Sequence, residues 1–197
     1  MRPTIETDRL YLRPLRMSDA KWFASYAGAP EVARMTGSIT TGITAMEAEF
    51  WIMRNLSRQK RGLAHIYVIE HDGAPVGMVD LFKRTDDAAL EIGYSLMPQH
   101  WGKGYMYEAC VAMIAEARDS LGATRIIASV FADNPASIRL LVKLGFTAAE
   151  TSEQWFSMGR MEKARGVTLT LDIDDDDMES DLPLQSGSLM SSSAFCK

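Results

Sequence analysis

Alternating apolar and polar positions give way to helical spacing several times along the chain, and these switches mark out its elements. Arg9-Leu10-Tyr11-Leu12-Arg13-Pro14-Leu15 alternates and predicts a first strand. Ser18 and Asp19 offer N-caps for a helix through Trp22, Phe23 and Tyr26 that ends near Gly28, and Glu31 to Met35 predicts a second, short helix. Thr44 with Glu47 three residues on is a capping-box pattern, opening a helix through Phe50, Ile52, Met53 and Leu56. Of the large residues in this region, Trp22, Met35, Phe50, Trp51 and Met53 are expected to pack the core, with some on a pocket wall. His65 to His71 and Ala74 to Phe82 read as strands joined by Asp72-Gly73, a hairpin signal. A turn over Arg84 to Ala88, with Asp86-Asp87 at its tip, leads to the strand Ala89 to Met97 and completes a meander.

Past a short glycine-punctuated stretch, Tyr107, Cys110, Val111, Ile114, Ala117 and Leu121 recur at helical spacing on one face, and Gly122 supplies the residue that ends the helix. Arg125 to Phe131 predicts a buried strand, parallel to the one before if the helix between them is a crossover. Asn134 as N-cap and Pro135 at the first helical position start another helix, with Ile138, Leu141 and Val142 as its apolar face and Gly145 closing it. Phe146-Thr147 continues as a strand, and Val167 to Ile173 predicts the last one. The pattern is α/β with a mixed sheet and no internal repeat. A domain over residues 1–172 is followed by an acidic, Ser/Gly-rich, aperiodic segment, 173–197, whose composition predicts a disordered tail.

Composition narrows the classes. A chain of 197 residues with 47% hydrophobic content can bury the core of one domain. It has no apolar run long enough to span a membrane, and its start, Met1 to Glu6, lacks the apolar stretch of a secretory signal. Two cysteines, Cys110 and Cys196, argue against a disulfide framework and fit a reducing cytoplasm. His65, His71 and His100 show no ligand spacing with the cysteines or with one another, so no metal is expected. The net charge of −5 belongs to the tail: removing the six acids and one base of residues 173–197 from the chain's 26 acids and 21 bases leaves 20 of each. A neutral body lacks the broad basic surface of a nucleic-acid binder, so an anionic ligand must be held by local groups.

One stretch offers such groups. Gln99-His100-Trp101-Gly102-Lys103-Gly104-Tyr105 lies between a predicted strand and a long helix. N–H groups of a first helical turn lack intrahelical partners and face the positive end of the helix dipole, and glycines let a ligand approach the backbone. Gly102-Lys103 is followed by Gly104 rather than Ser or Thr, which argues against a Walker P-loop. Together with Glu91-Ile92-Gly93-Tyr94 before it and Asn134 to Phe146 after it, this stretch resembles the GNAT superfamily of N-acetyltransferases. The branch it is most similar to contains the RimJ/RimL ribosomal-protein acetyltransferases, whose opening Thr7 to Leu15 also matches. The resemblance covers roughly residues 5 to 172.

The resemblance implies a mixed, mostly antiparallel central sheet with helices on both faces and a parallel strand pair splayed like a V, near a bulge in the first strand of that pair. It implies acetyl-CoA as co-substrate, its pyrophosphate held by backbone amides of the turn containing Gln99, Gly102, Lys103, Gly104 and Tyr105. Its pantetheine arm would lie along Leu96 and Met97, with a backbone N–H near Leu96 polarising the thioester carbonyl. Asn134 matches a pantetheine contact as well as an N-cap; Lys103 and Lys143 are either phosphate partners or solvated surface lysines.

Acetyl transfer to an amine needs a base, because a typical amine is protonated at pH 7. Glu91 is the candidate, sharing a strand face with Gly93 and Ser95, with Asp80 and Glu108 as weaker alternatives. Where many relatives carry a tyrosine as general acid this chain has Leu141, and Ser137 matches the serine of the RimJ/RimL-like branch, which the resemblance implies would hydrogen-bond the departing sulfur, alone or through water. Cys110, on the helix's apolar face, is read as packing. The expected activity is direct acetyl transfer in a ternary complex to a primary amine, on a small molecule or a protein N-terminus. A non-catalytic acyl-CoA-binding module is the alternative, and a monomer or homodimer the expected form.

Overall fold

The computed structural model describes residues 3–84 and 89–173. The turn around Asp86-Asp87 and the tail from 174 onward lie outside those residues.

Five strands follow one another antiparallel: β1 (Ile5–Glu6), β2 (Tyr11–Pro14), β3 (Ala64–His71), β4 (Ala74–Lys83) and β5 (Leu90–Leu96). β6 (Arg125–Phe131) then joins β5 in parallel, and the hairpin of β7 (Thr147–Ser157) and β8 (Glu162–Asp172) completes an eight-stranded sheet ordered β1-β2-β3-β4-β5-β6-β8-β7. Between β2 and β3 lie α1 (Ala20–Ala27), α2 (Pro30–Ala33) and α3 (Ala45–Lys60); α4 (Tyr105–Leu121) crosses from β5 to β6, and α5 (Pro135–Lys143) links β6 to β7. Among the described residues no helix is long and apolar enough to cross a membrane.

Local chemistry sets most boundaries. Thr44 accepts the Glu47 N–H at 3.2 Å while the Glu47 carboxylate accepts the Thr44 N–H at 2.8 Å, so the capping box of α3 is formed on both sides. Gly122 takes φ of 61° at the end of α4, where a side chain would be strained. Asn134 accepts the Ser137 N–H at 3.1 Å and Pro135 opens α5, as their positions predict.

The sheet separates two cores. Leu12, Ile69, Leu81, Ile126 and Leu169 pack with α4 on one side, and Phe23, Ile52, Ile66 and Val68 pack under α1 to α3 on the other. A fully buried aliphatic side chain of this kind contributes about 1.5–3 kcal/mol. α1 is pinned to the sheet by Arg13, which makes a paired contact with Asp19 at 2.8 and 2.9 Å and reaches Glu70 at 2.6 Å. Breaking a buried pair of this type costs roughly 3–5 kcal/mol, because a charge is left uncompensated.

Four expectations are corrected. Phe50 and Met53 are not core residues but 61% and 53% exposed, because α3 buries its Ala48, Ile52 and Asn55 side. α4 turns Met106, Ala109, Cys110, Met113 and Ala117 inward, leaving Val111 45% exposed: two overlapping stripes share Cys110 and Ala117, and the one with small and flexible members fits against the sheet. Val142 on α5 is 58% exposed, while Leu141 is fully buried. The last two strands are each 11 residues long, far beyond Phe146-Thr147 and Val167–Ile173, because the largely polar Thr147–Ser157 forms the sheet edge against β8.

Candidate active site

β5 organises the site. It pairs with β6 only at Leu90↔Ile126 and Glu91↔Ile127; beyond that point the two strands part from each other while each keeps its other neighbour, and the sheet opens. Its ladder with β4 runs from Lys83↔Leu90 to Gly77↔Leu96 in unbroken register, so the splay arises without the expected bulge. In an antiparallel ladder alternate N–H groups point to the same neighbour. The Met97 N–H bonds the Val76 carbonyl at 2.9 Å, so 93, 95 and 97 face β4, and the N–H groups of Tyr94 and Leu96 face the gap. Met97 offers no free backbone edge, since its carbonyl is taken by the His100 N–H at 2.9 Å. The Leu96 carbonyl is held by the Trp101 indole N–H at 2.7 Å.

At the open end of the gap lies the glycine turn. Gly102 and Gly104 have φ of 73° and 81°, and Gly104 precedes α4 without a side-chain cap. The first N–H after the turn with a partner is that of Glu108, bonded to the Gly104 carbonyl at 3.2 Å. The N–H groups of Gly102 to Tyr107 have no protein acceptor among the described residues, a cradle for an anion at a helix N-terminus. The Lys103 side chain is exposed beside it. Lys143 sits 4.3 Å over the Tyr107 ring on the flank of α4, and among the described residues Gln99 reaches only the Met97 sulfur, at 3.9 Å.

Glu108 anchors this turn. Its carboxylate accepts Thr7 Oγ1 at 2.5 Å, the Arg9 N–H at 2.8 Å and Arg9 Nε at 2.7 Å, while Arg9 Nη1 bonds the Lys103 carbonyl at 3.0 Å. Burial alone would raise its pKa, but the bonds from Thr7 and Arg9 outweigh it and hold Glu108 below the usual carboxylate range. A carboxylate so engaged is not a base. The Thr7–Arg9 opening thus acts on the cradle from the far end of the chain, a link nearly 100 residues long.

The two faces of β5 carry different chemistry. On the α4/α5 face, Tyr94 and Ser137 meet with their oxygens 2.6 Å apart. Burial raises the Tyr94 pKa, so the phenol keeps its proton. Leu141 points into the core and contributes nothing here. Cys110 is buried against the sheet, its thiol also raised by burial.

On the opposite face Glu91, Gly93 and Ser95 line a cleft of about 1290 Å³, with Asp80 opposite Gly93 on β4. Asp80 is the interior acid. Its Oδ1 is buried with no hydrogen-bond partner, and a Cβ on Gly93 would collide with it, so the glycine makes room for the carboxylate. Burial, and then the charge of Glu91, push Asp80 up to about 7 against the opposing Gly93 N–H and Arg58. Ser95, in the same cleft wall, has its Oγ 3.0 Å from the hydroxyl of the buried Tyr26 behind it. Glu91 is one-third exposed, 3.8 Å from Arg84, at the closed end of the gap.

The roof of the cleft is strapped down. The hairpin between β7 and β8 bonds the segment after α2 through Ser157 Oγ to the Thr36 carbonyl at 3.0 Å and Thr41 Oγ1 to the Gly159 carbonyl at 2.8 Å. Asp133, next to Asn134, receives Arg160 at 2.7 and 2.8 Å and Arg34 at 2.9 Å. Arg160 holds its carboxyl below the ordinary range. Among the described residues no cluster of His, Cys, Asp and Glu could hold a metal ion.

An open sheet that splays at its one parallel pair, above an uncapped helix N-terminus, defines the acetyltransferase class of fold. The chain belongs to the GNAT family: the model described as "Acetyltransferase (GNAT) domain" matches residues 9–147. It is 32% identical over 152 residues to the uncharacterized N-acetyltransferase YoaA of Bacillus subtilis (strain 168), a match spanning 74% of this chain and 84% of that protein. Among solved structures, RimL, a ribosomal L7/L12 alpha-N-protein acetyltransferase in complex with coenzyme A, superimposes with a TM-score of 0.78 at 19% identity, covering 88% of this chain and 99% of that one. The ribosomal-protein-S5-alanine acetyltransferase of Vibrio fischeri gives a TM-score of 0.73 at 22% identity, covering 87% and 97%. The chain is accordingly an acetyl-CoA-dependent acetyltransferase.

Proposed function

We propose that the enzyme transfers the acetyl group of acetyl-CoA to a primary amine by direct attack in a ternary complex, with donor and acceptor approaching β5 from opposite faces. The observation that carries this reading is Asp80: a buried carboxylate with an unpartnered oxygen in the acceptor-side cleft, held near neutrality. On the donor side, the open N–H groups of Gly102 to Tyr107 suit the pyrophosphate, Lys103 adds charge at the rim, and the Leu96 N–H suits the pantetheine arm and thioester carbonyl. Asn134 keeps its NH₂ group for the same arm while its oxygen caps α5.

Asp80, with Glu91 raising its proton affinity, takes the proton that keeps the amine cationic. The nitrogen lone pair then attacks the thioester carbon; the C–N bond forms, the C–S bond breaks, and the second proton lost by nitrogen balances the one gained by sulfur. Leu96 N–H steadies the developing oxyanion. Tyr94, a positioning residue, donates to Ser137 Oγ and leaves the serine proton for the departing sulfur. The domain acting is 1–172, a cytoplasmic monomer or homodimer needing neither metal nor nucleic acid.

The test is thiol release from acetyl-CoA over a panel of small amines and peptide N-termini, with Asp80→Asn beside the native enzyme. Turnover that collapses in the variant supports the reading; turnover of any amine that survives intact in Asp80→Asn removes the assigned base.

A further inference from the structure

The cleft has a charge pattern along its length that the transfer reaction does not use. Arg54 and Arg58, one turn apart on α3, line it together with Lys83 and Arg84 at the end of β4. Arg58 stands 4.9 Å over the Phe82 ring, and Phe82 pairs with Glu91, which fixes this cationic group at the closed end of the gap. The cradle at Gly102 to Tyr107 follows Leu96 at the other end of β5, roughly 20 Å away at about 3.3 Å per strand residue. These cations therefore do not serve the donor's phosphates.

Among the described residues the acids of the cleft offset them only in part: Arg58 acts on Asp80 through charge alone, without a direct ion pair. Glu91 lies 3.8 Å from Arg84, and Glu153 accepts the Trp155 indole N–H at 2.9 Å. Asp80 sits three residues along β4 from Lys83, at the floor. Among the described residues Arg54, Arg58 and Lys83 have no ion-pair partner, and they form a positive mouth. Between floor and mouth the walls are apolar, formed by Phe23, stacked on Trp51 at 4.5 Å, and by Phe82.

We propose that the acceptor is a small zwitterionic amine: a primary amine seated at Asp80, an apolar or aromatic spacer between Phe23/Trp51 and Phe82, and a carboxylate or phosphate at Arg54, Arg58 and Lys83. The proposal rests on the amine-transfer reading and adds the chemistry at the acceptor's far end. Asp80 and Phe82 share a strand face about 7 Å apart, and Arg58 stands a further 4.9 Å over the Phe82 ring, so an amine-to-anion separation near 10 Å suits the cleft. A phenyl ring with an aminoethyl arm and a para anion fits that span.

The experiment measures thiol release by the full chain from acetyl-CoA with three matched acceptors: phenethylamine, 4-(2-aminoethyl)benzoate and tyramine phosphate. The expected result is a kcat/KM at least tenfold higher for one or both anionic acceptors. That ratio should fall toward one in Arg54→Gln/Arg58→Gln and shrink with added salt. Benzoate against phosphate tells which anion the mouth takes. Equal kcat/KM for the neutral and anionic acceptors, an unchanged ratio in the double variant, or faster turnover of an acidic peptide N-terminus each overturns the zwitterion assignment while amine transfer stands. Retained coenzyme A binding with no thiol release from any amine overturns amine transfer, and this assignment with it.

Discussion

The two faces of β5 are built from different material. The face proposed for the donor is largely backbone: N–H groups of Gly102 to Tyr107, the Leu96 N–H, and two glycines in the left-handed region. The face proposed for the acceptor is side chains, with Asp80, Glu91 and Ser95 on the sheet and Trp51, Arg54 and Arg58 on α3. A backbone cradle tolerates change in its neighbours as long as the turn is kept. A side-chain cleft changes its ligand with each substitution. Donor and acceptor recognition can therefore vary independently in this fold.

The largest expected effect lies on the acceptor face. Asp80→Asn should lower kcat by about 10²–10⁴, the usual contribution of a positioned base. In the native enzyme kcat/KM should rise with pH and level off above about 7, where Asp80 ionises, and the variant should lose that limb. The same shift has a stability consequence of definite sign. A carboxyl whose folded pKa is raised favours the protonated native state, so its stabilisation is complete below the unfolded value near 3.8 and is lost as pH rises through about 7. Above pH 7 ionised Asp80 costs the fold up to roughly 4 kcal/mol at about 1.4 per unit. Asp80→Asn should thus melt higher than the native chain at pH 8, with little difference at pH 4.

On the donor face the equivalent test is Gly104→Val. Its φ of 81° and the Arg9 guanidinium 3.3 Å from the would-be Cβ leave no unstrained place for a side chain. Left-handed strain of about 1–2 kcal/mol should appear as a rise of roughly tenfold or more in KM for acetyl-CoA, with kcat for bound substrate far less affected. A variant that lost kcat and kept KM would show that the two faces are not separate.

The same division explains what was legible in the chain. Glycine turns and caps are local, so Gly102/Gly104, Thr44/Glu47, Asn134/Pro135 and Gly122 could be assigned from neighbours within four residues. The cleft depends on cross-strand register. Asp80 becomes the interior acid because it pairs with Gly93, and nothing in either strand alone sets that pairing. Tyr94 meets Ser137 across 43 residues, and Arg9 meets Glu108 across 99. The helix faces failed where apolar spacing was degenerate, as in α4, whose inward Met106, Ala109 and Met113 compete with an equally periodic stripe through Val111 and Ile114.

A smaller effect tests the hydroxyl pair on the α4/α5 face. Tyr94→Phe removes one hydrogen bond to Ser137, worth about 1–1.5 kcal/mol, and should lower kcat roughly tenfold without raising KM for acetyl-CoA. Ser137→Ala should cost at least as much, and the double variant should equal Ser137→Ala alone, since the phenol acts only through the serine. Additive losses would assign Tyr94 a contact of its own.

The smallest effect concerns Glu91. It stands where β5 and β6 are still paired, five residues before Leu96, with Arg84 beside it, whereas Asp80 lies opposite Gly93, two residues nearer the gap's open end. Its charge is one cause of the raised Asp80 pKa. Glu91→Gln removes that charge, so the acid limb of kcat/KM should move to lower pH by a fraction of a unit. The plateau should fall less than about threefold, far short of the 10²–10⁴ of a lost base. A collapse of the plateau in Glu91→Gln, with Asp80→Asn still active, would exchange the roles of the two carboxylates and move the amine to the closed end of the gap.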